Sequence, residues 1–103
     1  MKREEGIATA RLLRTRLLKE HIPVRKVILF GSVARNDAHE WSDIDIAVVC
    51  DPFEKTRQDE SMRVRVVRRD IDLRISPVCL HPADFQNKFF SLAHEIERTG
   101  VEV

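Results

Sequence analysis

Two segments decide the fold: Leu29-Phe30-Gly31-Ser32-Val33-Ala34-Arg35 and Ser42-Asp43-Ile44-Asp45-Ile46-Ala47-Val48-Val49-Cys50. The first closes an apolar, β-branched run, Val24 to Phe30, which reads as a short buried strand ended by Gly31. Ser32-Val33-Ala34-Arg35 then opens a short helix, and Asn36 tolerates the left-handed conformation that closes it. The second segment reads as a strand from Ser42 to Cys50. Alternation puts Asp43, Asp45, Ala47 and Val49 on one face and Ile44, Ile46 and Val48 on the other.

Outward from this pair, Ile7, Ala10, Leu13 and Leu17 recur at helical spacing between Glu4 and His21, with Leu12 and Leu18 widening the stripe, until Pro23 stops the helix. Asp51-Pro52-Phe53-Glu54 has the pattern of a helix N-terminus, which predicts a helix through Lys55 to Arg69; Met62 and Val66 fit it, although Arg63 to Val66 also alternates like a strand. Asp70 to Val78 reads as a third strand, with Asp70, Asp72 and Arg74 on one face and Ile71, Leu73 and Ile75 on the other, and with pairing limited at Pro77. Pro82 starts a last helix carrying Phe85, Phe89, Leu92 and Ile96 as a core stripe, and Gly100 ends it before Val101-Glu102-Val103. The expected architecture is an α/β (α+β) domain, with a small mixed sheet of three to four strands flanked by helices, over residues 1–103.

Composition narrows the function. The chain has 103 residues, 18 Lys and Arg against 17 Asp and Glu, and a formal net charge of +1, so no overall basic field draws it to nucleic acid or an anionic membrane. The longest strictly apolar run, Ile46 to Cys50, is far short of a membrane span, and Met1 to Glu5 lacks the apolar stretch of a secretion signal; a cytoplasmic location is the expectation. Cys50 and Cys79 are expected to be reduced, since their spacing matches neither a zinc site nor a redox pair.

Chemistry concentrates in Asp43, Asp45 and Asp72 at strand ends. Like-charged carboxylates on one face repel, and a divalent cation with hard-oxygen preference, such as Mg²⁺, removes that repulsion. Alone, an Asp-Ile-Asp is more often an ordinary solvated strand end than a metal site, and most Gly-Ser pairs are simply turns. Together they are more specific. A strand leads into Gly31-Ser32, ten residues follow, and Asp43-Ile44-Asp45 heads a second apolar strand. Gly allows close backbone approach, and a helix N-terminus offers free N–H groups to an anion.

This arrangement resembles the minimal nucleotidyltransferases of the polymerase-β superfamily, whose signature is similar to Leu29–Arg35 with Ser42–Val48; Ile71-Asp72-Leu73 resembles the strand bearing their third carboxylate. The resemblance implies transfer of a nucleoside monophosphate from a nucleoside triphosphate, usually ATP, to an acceptor hydroxyl. It implies that Gly31, Ser32 and Arg35 hold the nucleotide, and that Asp43, Asp45 and Asp72 are catalytic and bind Mg²⁺, two ions in all. Asn36 departs from the Gly of many relatives, which touches only the loop shape. Arg35 has a second reading as a salt bridge that pins its loop, and Asp70 competes with Asp72 for the third position. Small members of this group often act as antitoxins that adenylylate a tyrosine of a helical HEPN-domain partner, and a chain of this length is expected to find its acceptor site on another protein. The competing expectation is a non-catalytic binding module that occludes such a partner, or a catalytic subunit of a split small-molecule nucleotidyltransferase; self-association is open as well. His21, His39, His81 and His94 have no metal-ligand spacing, Trp41 is expected to pack, and the Arg57, Arg63, Arg65, Arg68, Arg69 group is expected to pair with Asp59, Glu60 and Asp70.

Overall fold

The computed structural model describes residues 1–103. Its elements in order are α1 (Arg3–Lys19), β1 (Val24–Phe30), α2 (Gly31–Ala34), β2 (Ile44–Cys50), α3 (Arg57–Arg68), β3 (Ile75–Leu80), a 3₁₀ turn (Pro82–Gln86), α4 (Ser91–Thr99) and β4 (Val101–Glu102). They form a mixed four-stranded sheet in the order β3-β2-β1-β4. Within it β1 is antiparallel to β2 and β4, while β2 and β3 are parallel.

Both faces of the sheet are covered, which is why β2 is apolar on both sides. Val27, Leu29, Ile44, Ile46 and Val48 pack with Ala10, Leu13 and Leu17 of α1 and Val64 and Val67 of α3. On the opposite face Ile28, Ala47, Val49 and Leu80 pack with Ala93 and Ile96 of α4. The alternation read from the second segment therefore holds, with Asp45 on the α4 side. No helix is long and apolar enough to cross a membrane.

Four expectations need correction. The helix predicted from Asp51 starts instead after Thr56, whose hydroxyl accepts from the Asp59 N–H at 3.1 Å. Asp51 is drawn to Arg25 Nε at 3.0 and 3.1 Å, and the Phe53 and Glu54 N–H groups are taken by Glu60. Residues 70–74 are a turn and not a strand: the Ile71 and Asp72 N–H groups both donate to the Arg68 carbonyl, and β3 begins only at Ile75. The last helix is broken at Asn87, whose side chain accepts from the Phe89 N–H at 3.0 Å, so Phe89 leaves the core stripe and is exposed. On the helices Leu12, Leu18, Met62 and Val66 are exposed, and the narrower buried stripes are Ala10-Leu13-Leu17 and Glu60-Val64-Val67.

Glu60 and Asp84 are the buried acidic residues, and each is satisfied. Asp84 takes a two-pronged contact from Arg57 at 2.7 Å on each oxygen and accepts the His81 N–H at 2.8 Å. Glu60 accepts from the Phe53 N–H at 2.7 Å and meets His81 Nε2 at 2.7 Å. Arg57 holds Asp84 below the usual carboxylate range. Burial alone would raise Glu60, but the hydrogen bonds from Phe53, His81 and Glu54 outweigh it and lower the group. Cys50 is buried and free, its thiol pushed up to about 12 by burial; Cys79 is half-buried and free. Of the basic group, Arg57 and Arg63 pair with Asp84 and Glu54, whereas Asp70 pairs with Arg16 of α1.

Depressed carboxylates stabilise the fold above their unfolded values, here 3.8 for Asp84 and 4.5 for Glu60, and that contribution is lost as pH falls through the folded values. Urea unfolding of Asp84→Asn at pH 7 should show a loss of about 1.5–3 kcal/mol, the worth of a hydrogen bond to a charged group. The gap to the parent protein should narrow below pH 4; a constant gap would contradict the assignment.

Candidate active site

The site is built at the β1–α2 junction. Phe30, the last residue of β1, is opposite Asp45 in the antiparallel register, which places Gly31 directly beside that carboxylate. Gly31 adopts φ +72°, and a Cβ there would run into the Asp45 carboxyl group. The left-handed backbone favours glycine, and the close approach requires it. Asn36 is also left-handed, at φ +62°, as its sequence position suggested. The loop is anchored from α1, where Arg3 donates its N–H to Asn36 Oδ1 at 3.1 Å and its Nε to the Ala34 carbonyl at 2.6 Å. The N-terminus of α1 thus fixes the loop that follows Gly31.

Asp43 precedes β2 and is exposed, whereas Asp45 lies within it and is half-buried. Burial raises the Asp45 carboxyl, Asp43 raises it further, and only Arg35 works in the other direction. Arg35 makes an exposed ion pair with Asp37 at 3.3 Å, and its charge also reaches Asp45. A cleft of about 330 Å³ opens here. One wall is Phe30, Gly31, Ser32, Arg35 and Asp45; the other is Leu92, Glu95, Ile96 and Thr99 of α4. The α4 wall went unread in the sequence, where Leu92 and Ile96 read as core; Ile96 is core, and Leu92 is exposed on the cleft. Its signal is the Glu95–Thr99 pair, which shares the Leu92–Ile96 side of the helix at i, i+3 and i+4 spacing.

Asp72 is not part of this carboxylate pair. It lies in the turn before β3, where Arg74 contacts it at 2.7 Å and 3.0 Å and donates its own N–H to it at 2.9 Å. The Arg74 guanidinium holds Asp72 below the usual carboxylate range. Asp70, the competitor, is engaged by Arg16 at 2.7 Å. No three His, Cys, Asp or Glu side chains converge on a point where a metal ion would be held. The β3 residue opposite Asp45 is Ser76. Trp41, expected to pack, is exposed, and His39 contributes its N–H to Ser42 Oγ at 3.0 Å.

The donor set fits Mg²⁺ arriving with a polyphosphate, because that ion uses one or two carboxylates and completes its shell with phosphate oxygens and water. Asp43 and Asp45 are hard donors whose mutual repulsion a cation would relieve.

Comparison with known proteins decides the family. Residues 11–98 match the model of the nucleotidyltransferase domain. The chain belongs to the nucleotidyltransferase domain family. It is 31% identical over 81 residues to a Methanocaldococcus jannaschii protein named "Putative protein adenylyltransferase MJ0141", covering 76% of this chain and 77% of that one. It is 36% identical over 66 residues to "Putative protein adenylyltransferase MJ1305" of the same organism, covering 60% of this chain but only 45% of MJ1305. Among solved structures, one described as "putative minimal nucleotidyltransferase" superposes with a TM-score of 0.66 at 25% identity, covering 100% of this chain and 97% of that one. A Sulfolobus solfataricus structure, described as "a putative nucleotidyltransferase", shares the fold with a TM-score of 0.67 at 20% identity, over 97% of this chain and 80% of that one.

In this nucleotidyltransferase domain Gly31→Ala should be damaging on two counts, the left-handed backbone and the collision with Asp45. Chemical denaturation should show a loss of about 1–3 kcal/mol, and nucleotide binding should be abolished. Wild-type stability and binding in this variant would show that the close approach is not required.

Proposed function

We propose that the chain transfers AMP from ATP to a hydroxyl of a protein acceptor, most specifically a tyrosine of a helical HEPN-type partner that it neutralises as an antitoxin. The observation that carries this reading is the apposition of Gly31 and Asp45, which places an anion-accepting turn against a carboxylate pair. Family membership and the adenylyltransferase names of the two archaeal relatives support the reaction class and the protein acceptor.

The chain's own residues account for binding and orientation. The N–H groups at the start of α2 and the Ser32 hydroxyl hold the triphosphate, and Arg35 swings from Asp37 to offset its charge. Asp43 and Asp45 would hold Mg²⁺, which when bound supplies charge neutralisation on the reacting phosphate and the leaving pyrophosphate. Leu92, exposed on α4 above the buried Ile96, presents an apolar surface across the cleft, suited to the nucleoside and to excluding water. Phosphoryl-type transfer asks mainly for such positioning and charge compensation, so no protein nucleophile is needed.

The test is incubation with labelled ATP, Mg²⁺ and a helical partner protein, followed by mass analysis of both chains. The expected product is one adenylate on a partner tyrosine. Asp43→Asn with Asp45→Asn should abolish it while the fold and thermal midpoint are retained, because the substitution removes like-charge repulsion. Labelling that survives in the double variant, or no labelling of any partner by the parent chain, contradicts the proposal.

A further inference from the structure

α4 forms one wall of the cleft, and the strand that follows fixes which way it runs. β4 pairs Val101 with Leu29, so Thr99, two residues earlier, lies at the end of the cleft where Phe30 leads into Gly31. Leu92, seven residues back, stands two helical turns away, about 10.5 Å along the axis. Glu95 falls between them. At i, i+3 and i+7 spacing Leu92, Glu95 and Thr99 share one side of the helix, and all three line the cleft.

The wall therefore changes character in the order of a nucleotide's parts. With the triphosphate at Gly31 and Ser32 and the nucleoside base on the exposed Leu92, the sugar lies between them, opposite Glu95. Glu95 is the one acidic residue of this wall, and no arginine, lysine or histidine engages it. Glu97, the other acid of α4, lines a separate cavity with Arg25 and Lys26. An ionised carboxylate offers acceptors only, and the neighbouring 2′- and 3′-hydroxyls of a ribose are donors that it can take as a pair. Thr99 does not compete for them as a donor would, since its hydroxyl proton goes to the Glu95 carbonyl at 2.8 Å.

We infer that Glu95 binds the sugar of the nucleotide through its 2′- and 3′-hydroxyls, so that the chain selects ribonucleoside triphosphates over their deoxy counterparts. This rests on the nucleotidyl-transfer reading of the cleft. Glu95 acts on specificity and not on the reacting phosphate: its charge is of use only to a ligand that brings hydroxyls to meet it. Because Glu95 is exposed, water replaces a missing hydroxyl at modest cost, and the expected preference is about tenfold, well short of the factors reached in buried sites.

The experiment is calorimetric titration of ATP, 2′-deoxy-ATP and 3′-deoxy-ATP into the full chain with Mg²⁺ and no acceptor, with folding checked by circular dichroism. The parent chain should bind ATP about tenfold more tightly than either deoxynucleotide. Glu95→Ala should bring ATP down to the affinity of the deoxynucleotides without weakening theirs. Glu95→Gln, which keeps a carbonyl acceptor, should recover part of the preference. Equal binding of the three nucleotides by the parent, or a Glu95→Ala variant that weakens all three by one factor, overturns the assignment while Mg²⁺-dependent binding leaves the transfer reading in place. Absence of ATP binding by the parent chain would remove both.

Discussion

The close approach of the Gly31 backbone to the Asp45 carboxylate is the constraint on which the rest of the structure depends. It exists because β1 and β2 are antiparallel neighbours in a register that sets Phe30 opposite Asp45. It is tolerated because residue 31 has no side chain and can take a positive φ. The apolar halves of both strands lie in the two cores, so the register cannot slip by one residue without turning Ile44, Ile46 and Val48 out of their core. Burial of ordinary aliphatic side chains thereby holds two charged ones in place.

Charge is compensated selectively. Asp51, Asp70, Asp72 and Asp84 each have an arginine within ion-pair distance, from Arg25, Arg16, Arg74 and Arg57 respectively. Asp45 has no such partner; it experiences Asp43 as a repulsion and Arg35 as a partial offset from a mobile-length side chain already shared with Asp37. A chain with a formal net charge of +1 thus leaves Asp45 without an ion-pair partner at the mouth of a cleft, as it does Glu95 on the α4 wall. A cation together with a polyphosphate answers that imbalance without importing net charge on the scale of either alone.

Much of this was legible in the residues. β1 appears over Val24 to Phe30 as its β-branched run suggested, α1 and the mixed sheet form as expected, and the left-handed Asn36 and the Asp45 face of β2 follow from local chemistry. In the misread parts the local pattern is overruled by side-chain partners, some distant and some only two or three residues away. Asp51-Pro52 imitates a helix cap, but Arg25 on the neighbouring strand takes the Asp51 carboxylate. Asp70 to Arg74 alternates like a strand, but Arg16 and Arg74 bind its acids and fold it into a turn, which moved the expected third carboxylate off the sheet. β4, two residues long, carries no periodic signal and depends on the room left beside β1, where Gly100 packs against Ile28. The α4 wall of the cleft was hidden because Leu92 shares the spacing of the true core position Ile96.

The most direct measurement is a crystal structure of the chain with a non-hydrolysable ATP analogue and Mn²⁺, located by its anomalous signal. The account predicts the triphosphate against the start of α2 at Gly31 and Ser32, with manganese on Asp43 and Asp45 and the nucleoside against Leu92. Nucleotide bound elsewhere, for example in the groove between α1 and α3 lined by Arg16, Met62, Arg63 and Val66, with no metal on the carboxylate pair, would contradict it.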